Sequence, residues 1–180
     1  ANTNTKFTVE HYYQNANDNE YTKVAEDTKY GTTDATVNGE TYKKTLANAV
    51  YASAENAVIA ADGSTVIRVY YVRTTYTLTF TYGDKIGESV EHTVKYGAAI
   101  PTAPTFTVLG YIFAGWDKEL ASTMPASNLT YAAQWTADTN VQFTVLHYYQ
   151  NANDDGYTEV ETEVKYGTTG EMVDGANYKK

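Results

Sequence analysis

The stretch FTVEHYYQNANDNEYTKVAEDTKYG, residues 7–31, alternates apolar and polar side chains in two runs that a polar loop separates. Phe7, Val9 and His11 fall on one face of the first run, as they would in a strand with one buried face. The Asn, Asp and Gln residues of the loop tolerate turn geometry. The sequence therefore predicts a β-hairpin closed by a polar loop.

The same stretch returns 136 residues later in the chain. Residues 7–44, the first copy, align without a gap with residues 143–180, the second copy, at 24 identities in 38 positions. Duplication at a fixed period indicates a repeated structural unit rather than a catalytic site. We therefore expect an elongated row of small modules joined by short polar junctions.

The period contains two different modules. The predicted domains are residues 1–74, residues 75–137 and residues 138–180, the last being a truncated copy of the first. The third domain has no counterpart of the strand Val66–Val72, so its hairpin is expected to leave an open edge. We expect that edge to pack on the middle module or to associate with another molecule through residues 143–180.

Composition narrows the class of protein. Twenty-two acidic and 13 basic side chains give a formal net charge of -9, and cysteine is absent. Nucleic acid and anionic membrane surfaces are repelled by such a charge, and disulfides and thiolate metal sites are excluded. Eighteen tyrosines, with many threonines and valines, favour a mainly β fold, α+β at most. No membrane insertion is expected, since no apolar run approaches about 20 residues. No cofactor is expected either.

Other segments predict further elements. TLANAVYASAENAVIA, residues 45–60, contains enough alanine for a short helix with Leu46, Val50 and Ala54 on one face. ADGST predicts a turn before VIRVYYV, which is expected to be the most buried strand of its module. Lys-Tyr-Gly closes a second strand at residues 29–31, 95–97 and 165–167, which suggests one topology for all units.

Residues 75–137 contain the motifs KYGAAIPTAP, GYIFAGW, TMPASNLT and YAAQW in this order. This segment resembles the internalin B-repeat, also called the Listeria-Bacteroides repeat. The matching positions are Gly110, Tyr111, Phe113, Gly115, Trp116, Met124, Pro125 and Trp135.

The resemblance implies a small ubiquitin-like, β-grasp module of the kind found in long repetitive proteins of the bacterial cell surface. It implies an extracellular, cell-wall associated location and no enzyme activity. The flanking stretches FTVEHYYQNANDNEYT and ADGSTVIRVYYVR resemble mucin-binding-protein repeats, which often alternate with B-repeats. That second resemblance suggests host mucin glycans or surface proteins as partners.

No motif in the chain indicates catalysis. A Ser/His/Asp arrangement, an HExxH motif and a phosphate-cradling glycine loop are all absent from the sequence. His11, His92 and His147 lie among apolar positions of predicted strands, so we interpret them as structural. The chain is therefore expected not to be an enzyme.

The polar loop offers a weak alternative as a calcium site. Asn151, Asn153 and Asp155 supply oxygen ligands at alternate positions, but Thr162 stands where a bidentate acid is needed. A hairpin turn explains these residues without a metal. Aromatic stacking on sugars is the other binding hypothesis, and Tyr12 and Tyr148 on the outer strand face are its candidates.

Two functions follow from these features. The first is a spacer or stalk that displays other domains away from the bacterial wall, which agrees with repetition and short junctions. The second is an adhesion module that binds host glycans or proteins through its tyrosines.

Overall fold

A computed structural model describes residues 1–180 as a nearly all-β protein. Its strands are β1 (Thr5–Gln14), β2 (Tyr21–Gly31), β3 (Thr36–Asn38), β4 (Ala49–Ala54), β5 (Asn56–Val58), β6 (Val66–Arg73), β7 (Thr75–Thr81), β8 (Val90–Lys95), β9 (Tyr111–Trp116), β10 (Leu129–Ala137), β11 (Val141–Gln150) and β12 (Tyr157–Gly167). Two single-turn 3-10 helices span Gly39–Tyr42 and Gly175–Tyr178. The predicted mainly β fold is confirmed.

Two four-stranded sheets share one strand order. The first reads β2-β1-β6-β4 and the second β8-β7-β10-β9, so each places its first strand beside its second and last strands. In the first sheet, β1 is antiparallel to β2 and parallel to β6, and β4 is antiparallel to β6. The arrangement is compatible with the β-grasp architecture that the family resemblance implies.

The predicted helix over residues 45–60 is wrong. β4 and β5 occupy this segment, and β4 pairs with β6 in the register Val50 to Val72. Alanine favours a helix by less than about 1 kcal/mol per residue over most other residues, and a short isolated helix is marginal. Pairing with the buried strand β6 outweighs that preference. Val50, expected on the apolar helix face, is exposed.

The predicted hairpin of residues 7–31 is confirmed as β1 and β2, with a register shift between His11 and Tyr12. Its inward side chains complete a core with residues from later in the chain. The buried members of this core are Phe7, Val9, Ile59, Ile67, Val69 and Tyr71. Along β1 and β6 the buried residues alternate with more exposed ones, which is the period-two pattern of a strand with one buried face.

The chain forms two compact units. One comprises residues 1–79, 90–103 and 120–130, and contains the first sheet and its core. The other comprises residues 80–89, 104–119 and 131–180, and contains the β9–β10 pair and the β11–β12 hairpin. These spatial groupings do not test the domain ranges 1–74, 75–137 and 138–180, which stay a prediction.

Aromatic rings organise the second unit. Phe80 packs on Trp116 at 5.0 Å between ring centroids, and Phe106 packs on Trp116 at 5.6 Å. Tyr82 stacks on Phe106 at 4.1 Å and lies parallel to Trp135 at 6.2 Å. The Trp135 indole N–H donates to the Tyr82 carbonyl at 2.7 Å, which satisfies its one donor.

Candidate functional site

Several polar contacts between segments distant in sequence lie where β6 passes into β7. Thr74 alone separates these strands. The Thr74 N–H donates to the Asn48 carbonyl at 2.9 Å, and the Tyr96 N–H donates to the Thr74 carbonyl at 2.8 Å. The link is therefore held on both sides by backbone hydrogen bonds. We use the name proximal junction for the link at Thr74 together with the segments 13–19 and 95–99, which meet beside it.

Arg73 is the centre of the proximal junction. Its Nε donates to the Gln14 carbonyl at 2.7 Å and its guanidinium N–H donates to the Tyr96 carbonyl at 3.0 Å. The guanidinium carbon lies 4.4 Å from the centroid of the Tyr13 ring, a cation–π distance. One side chain thus joins the end of β1 to the segment after β8. Hydrogen bonds from a charged donor are stronger than neutral ones.

The polar loop of the first copy makes the remaining contacts of this junction. Lys95 Nζ donates to the Asp18 carbonyl at 2.7 Å and to Asn19 Oδ1 at 3.0 Å. The Ala99 N–H donates to Asn17 Oδ1 at 2.8 Å. The amide-rich loop therefore serves as a set of acceptors for residues 95–99.

A second set of contacts, the distal junction, surrounds the start of β11. The Asp138 N–H donates to the Gly110 carbonyl at 2.9 Å, and the Thr169 N–H donates to the Asp138 carbonyl at 2.9 Å. Gly110 has a φ of +78°, and a Cβ there would lie 2.6 Å from Thr169 Oγ1. A side chain at this position would be strained by both conformation and space.

The residues ahead of the first copy repeat half of the distal junction. Asn2 occupies the position of Asp138, and the Thr33 N–H donates to the Asn2 carbonyl at 2.8 Å. The Asn4 N–H donates to Asn2 Oδ1 at 2.9 Å, as the Asn140 N–H donates to Asp138 Oδ1 at 2.8 Å. Both copies thus present the same turn ahead of their first strand.

A buried polar network joins β1 to β6, its neighbour in the sheet. His11 is fully buried, and its Nδ1 lies 3.0 Å from the Tyr71 hydroxyl. That hydroxyl also accepts from the Lys44 N–H at 2.7 Å. Burial is the main cause that lowers the pKa of His11, although Asp27, 3.4 Å from Nε2, acts in the opposite direction. The histidine is a structural hydrogen-bonding group of the core, as its sequence position predicted.

The two candidate sugar-stacking tyrosines lie in different surroundings. Tyr12 is half-buried, its ring is 5.4 Å from that of Tyr70, and its hydroxyl donates to Glu10 Oε2 at 2.9 Å. Tyr148 is 51 % exposed. Of the two, only Tyr148 offers a large open surface.

The loop considered for calcium is organised by a different acid from the one expected. Asp154 Oδ1 accepts from Asn151 Nδ2 at 2.8 Å and from the Gly156 N–H at 2.7 Å. Asn151 Oδ1 accepts from the Thr158 hydroxyl at 2.6 Å. Asn151 is thus engaged within a hairpin turn, and Asn153 and Asp155 are exposed beside it. No group of three His, Cys, Asp or Glu side chains is placed to hold a metal ion.

The motif residues of the middle segment have three separate roles. Phe113 packs edge-on against Trp116 and Trp135, at 5.4 and 5.7 Å. Gly115, at φ +116°, lies next to a register shift between β9 and β10. The Tyr111 ring lies 4.0 Å from Lys85 Nζ, away from that cluster. The tryptophans are half-buried, so they bound the core rather than fill it.

Sequence reasoning missed the residues that make the proximal junction. Arg73 and Gln14 are 59 positions apart, and Lys95 and Asp18 are 77 apart. An arginine at the very end of an apolar strand, with a single residue between it and the next strand, is the signal that could have indicated a junction.

Residues 76–144 match the family model of the Listeria-Bacteroides repeat domain. This repeat domain is typical of bacterial surface proteins. No curated protein matches the chain. The chain forms no helix with both the length and the apolarity that crossing a membrane requires.

Proposed function

We propose that the chain is a non-catalytic part of the repeat region of a bacterial cell-surface protein, and that it acts as a stalk that displays other domains. The observation that carries this proposal is the proximal junction. Arg73, Lys95 and the backbone of Thr74 hold consecutive sheets together where a flexible linker would have left them free. A spacer needs stiffness between its modules, and these contacts support the proposal.

The proposal includes an extracellular, cell-wall associated location. It also assigns residues 1–74 and 138–180 to mucin-binding-protein-like repeats that alternate with the Listeria-Bacteroides repeat. The match of residues 76–144 supports the location, because that repeat domain is typical of bacterial surface proteins. The assignment of the flanking repeats rests on the stretches FTVEHYYQNANDNEYT and ADGSTVIRVYYVR.

Small-angle X-ray scattering tests the stalk. We expect the maximum dimension to grow linearly across proteins that carry one, two and three of the 136-residue periods. Arg73→Ala should increase flexibility between consecutive modules, because it removes the contacts to Gln14 and Tyr96. Arg68→Ala is the matched control, since Arg68 lies on the same strand but pairs with Glu55 and Glu10. A freely flexible profile in the unaltered protein would refute the proposal.

Adhesion is the second candidate function, and the exposed tyrosines of the second copy favour it. Tyr148, Tyr149 and Tyr157 are 51 %, 73 % and 66 % exposed on one hairpin. Aromatic rings with a hydroxyl can stack on sugars and donate hydrogen bonds. Binding to a mucin glycan array should be lost in Tyr148→Ala and kept in Tyr12→Ala. Equal binding by both variants would remove these rings from consideration.

A further inference from the structure

A single asparagine of the chain, Asn38, is followed by glycine. In an Asn-Gly pair the glycine backbone nitrogen can attack the side-chain carbonyl carbon of the asparagine, because glycine has no Cβ to hinder the approach. The attack closes a succinimide ring and expels ammonia. The pair Asn38–Gly39 is therefore the position at which the chain is best able to react with its own backbone.

The packing of the first sheet calls for this pair. Gly39 is buried, and a Cβ there would lie 2.2 Å from the Glu55 carbonyl oxygen and 2.8 Å from Ile67 Cγ2. Only glycine fits this space. The Oδ1 of Asn38 accepts from the Glu40 N–H at 3.0 Å, which fixes the turn after β3. The fold thus needs glycine at position 39 and an acceptor side chain at position 38, and the reactive pair is a consequence of both needs.

Both reacting groups are engaged in the folded chain. The Gly39 N–H donates to Asn56 Oδ1 at 3.0 Å, and Asn38 lies opposite Asn56 in the β3–β5 register. Ring closure requires the Gly39 nitrogen to leave Asn56 and the Asn38 side chain to leave Glu40. β3 and β5 have three residues each and pair only with each other. We expect so short a pair to open locally before the four-stranded sheet unfolds.

We infer that Asn38 is a site of spontaneous deamidation, which the hydrogen bond from Gly39 to Asn56 holds in check and which opening of the β3–β5 pair releases. The co-reactant is water. One asparagine guards the other, because Asn56 occupies the nitrogen that would attack Asn38. The inference goes beyond the stalk function and does not depend on it.

The reaction balances with water alone. The Gly39 nitrogen forms a bond to Asn38 Cγ, the Cγ–Nδ2 bond breaks, and the Gly39 proton leaves with Nδ2 as ammonia. Water then opens the ring at either of its carbonyls. Opening at Cγ gives aspartate with a normal backbone. Opening at the backbone carbonyl of residue 38 gives isoaspartate, in which the backbone runs through Cγ.

The two products have different consequences for the fold. Asp174 holds the equivalent position of the second copy, with φ -86° and ψ 112° against -85° and 112° at Asn38, and its Oδ1 accepts from the Ala176 N–H at 2.9 Å. An aspartate therefore makes the same turn. An isoaspartate adds a carbon to the backbone beside Gly39, where the Glu55 carbonyl leaves no room. It would keep the β3–β5 pair open, so that a transient opening becomes permanent.

The experiment incubates the full chain at mildly alkaline pH, folded and in urea, and measures aspartate and isoaspartate at position 38 by peptide mapping with mass spectrometry. The folded chain should react at least about tenfold more slowly than the chain in urea. Asn56→Ala should speed the reaction about two- to tenfold, which is the worth of one hydrogen bond. Asn56→Asp keeps an acceptor oxygen and should react as slowly as the unaltered chain. Asn17→Ala is the matched control, because it removes a hydrogen bond from the Ala99 N–H and leaves β3 untouched.

Three results would overturn the inference. The first is an equal rate at Asn38 in the folded chain and in urea, or no reaction in either. The second is a rate in Asn56→Ala equal to that of the unaltered chain or of Asn17→Ala. The third decides the matter if hydrogen exchange shows that Asn56→Ala unfolds β1 and β6: Asn56→Asp then reacts as fast as Asn56→Ala. The isoaspartyl form, separated by chromatography, should exchange the amides of residues 36–38 faster than the aspartyl form, and equal exchange would refute the permanent opening.

Discussion

Replacing Tyr71 with phenylalanine should loosen the first sheet far more than the same change at the neighbouring Tyr70. Tyr71 is 1 % exposed, and its hydroxyl lies between His11 Nδ1 at 3.0 Å and the Lys44 N–H at 2.7 Å. The phenylalanine fills the same space but leaves both groups without that partner. A buried polar group left unpaired costs about 1–3 kcal/mol. With one partner fully buried and the other partly, we expect a loss of about 2–4 kcal/mol.

Native-state hydrogen exchange of the full chain measures this loss locally. A loss of about 2–4 kcal/mol corresponds to exchange that is roughly 30-fold to 1,000-fold faster in β1 and β6. Tyr70→Phe is the control, because its hydroxyl makes one partly exposed contact of 3.5 Å with Glu55. The amides of β11 serve as an internal reference, since no strand of this chain covers them on the side away from β12. A change below about threefold in Tyr71→Phe, or one equal to that in Tyr70→Phe, would refute the account of the buried network.

Three further outcomes are expected. Stability of the first sheet should fall as the pH drops from 7 to 5, because burial lowers the pKa of His11. Below about pH 6.5 the unfolded state binds a proton that the folded state does not. The free energy of unfolding then falls by up to about 1.4 kcal/mol per pH unit. Urea unfolding of His11→Gln should show a shallower dependence, and identical slopes would count against the assignment. Gly110→Ala should destabilise the second unit by more than about 1 kcal/mol, because φ is +78° and Thr169 is too close, whereas Gly175→Ala, with open space around it, should not. Asp154→Ala should speed exchange of the 151–156 loop while Asp155→Ala leaves it unchanged, with or without calcium; protection that needs calcium and Asp155 would revive the metal hypothesis.

Elements with strong period-two alternation were predictable from the sequence. The hairpin of residues 7–31 and the strand from Val66 were found because each buries one face. The segment at residues 45–60 was mispredicted because its conformation depends on pairing with β6 and not on its alanines. The proximal junction was not predictable, since Arg73 and Gln14 are brought together only after both strands have joined the sheet.

The site predictions treated two residues at the same repeat position as equivalent. Tyr12 and Tyr148 are the same repeat position, yet only the second is widely exposed, because β6 covers the first. Alternation assigns a side chain to a face of a strand. It does not reveal whether another strand lies alongside.

The parallel pairing of β1 and β6 has a mechanical consequence. The chain enters the first sheet at Thr5 and leaves it at Arg73, and these residues lie at opposite ends of two adjacent parallel strands. A pull on the two ends would slide β1 past β6, so that every hydrogen bond of the ladder bears load at once instead of opening one after another. Resistance to pulling is set by the unfolding rate rather than by equilibrium stability. The first sheet is therefore oriented to withstand tension along the chain.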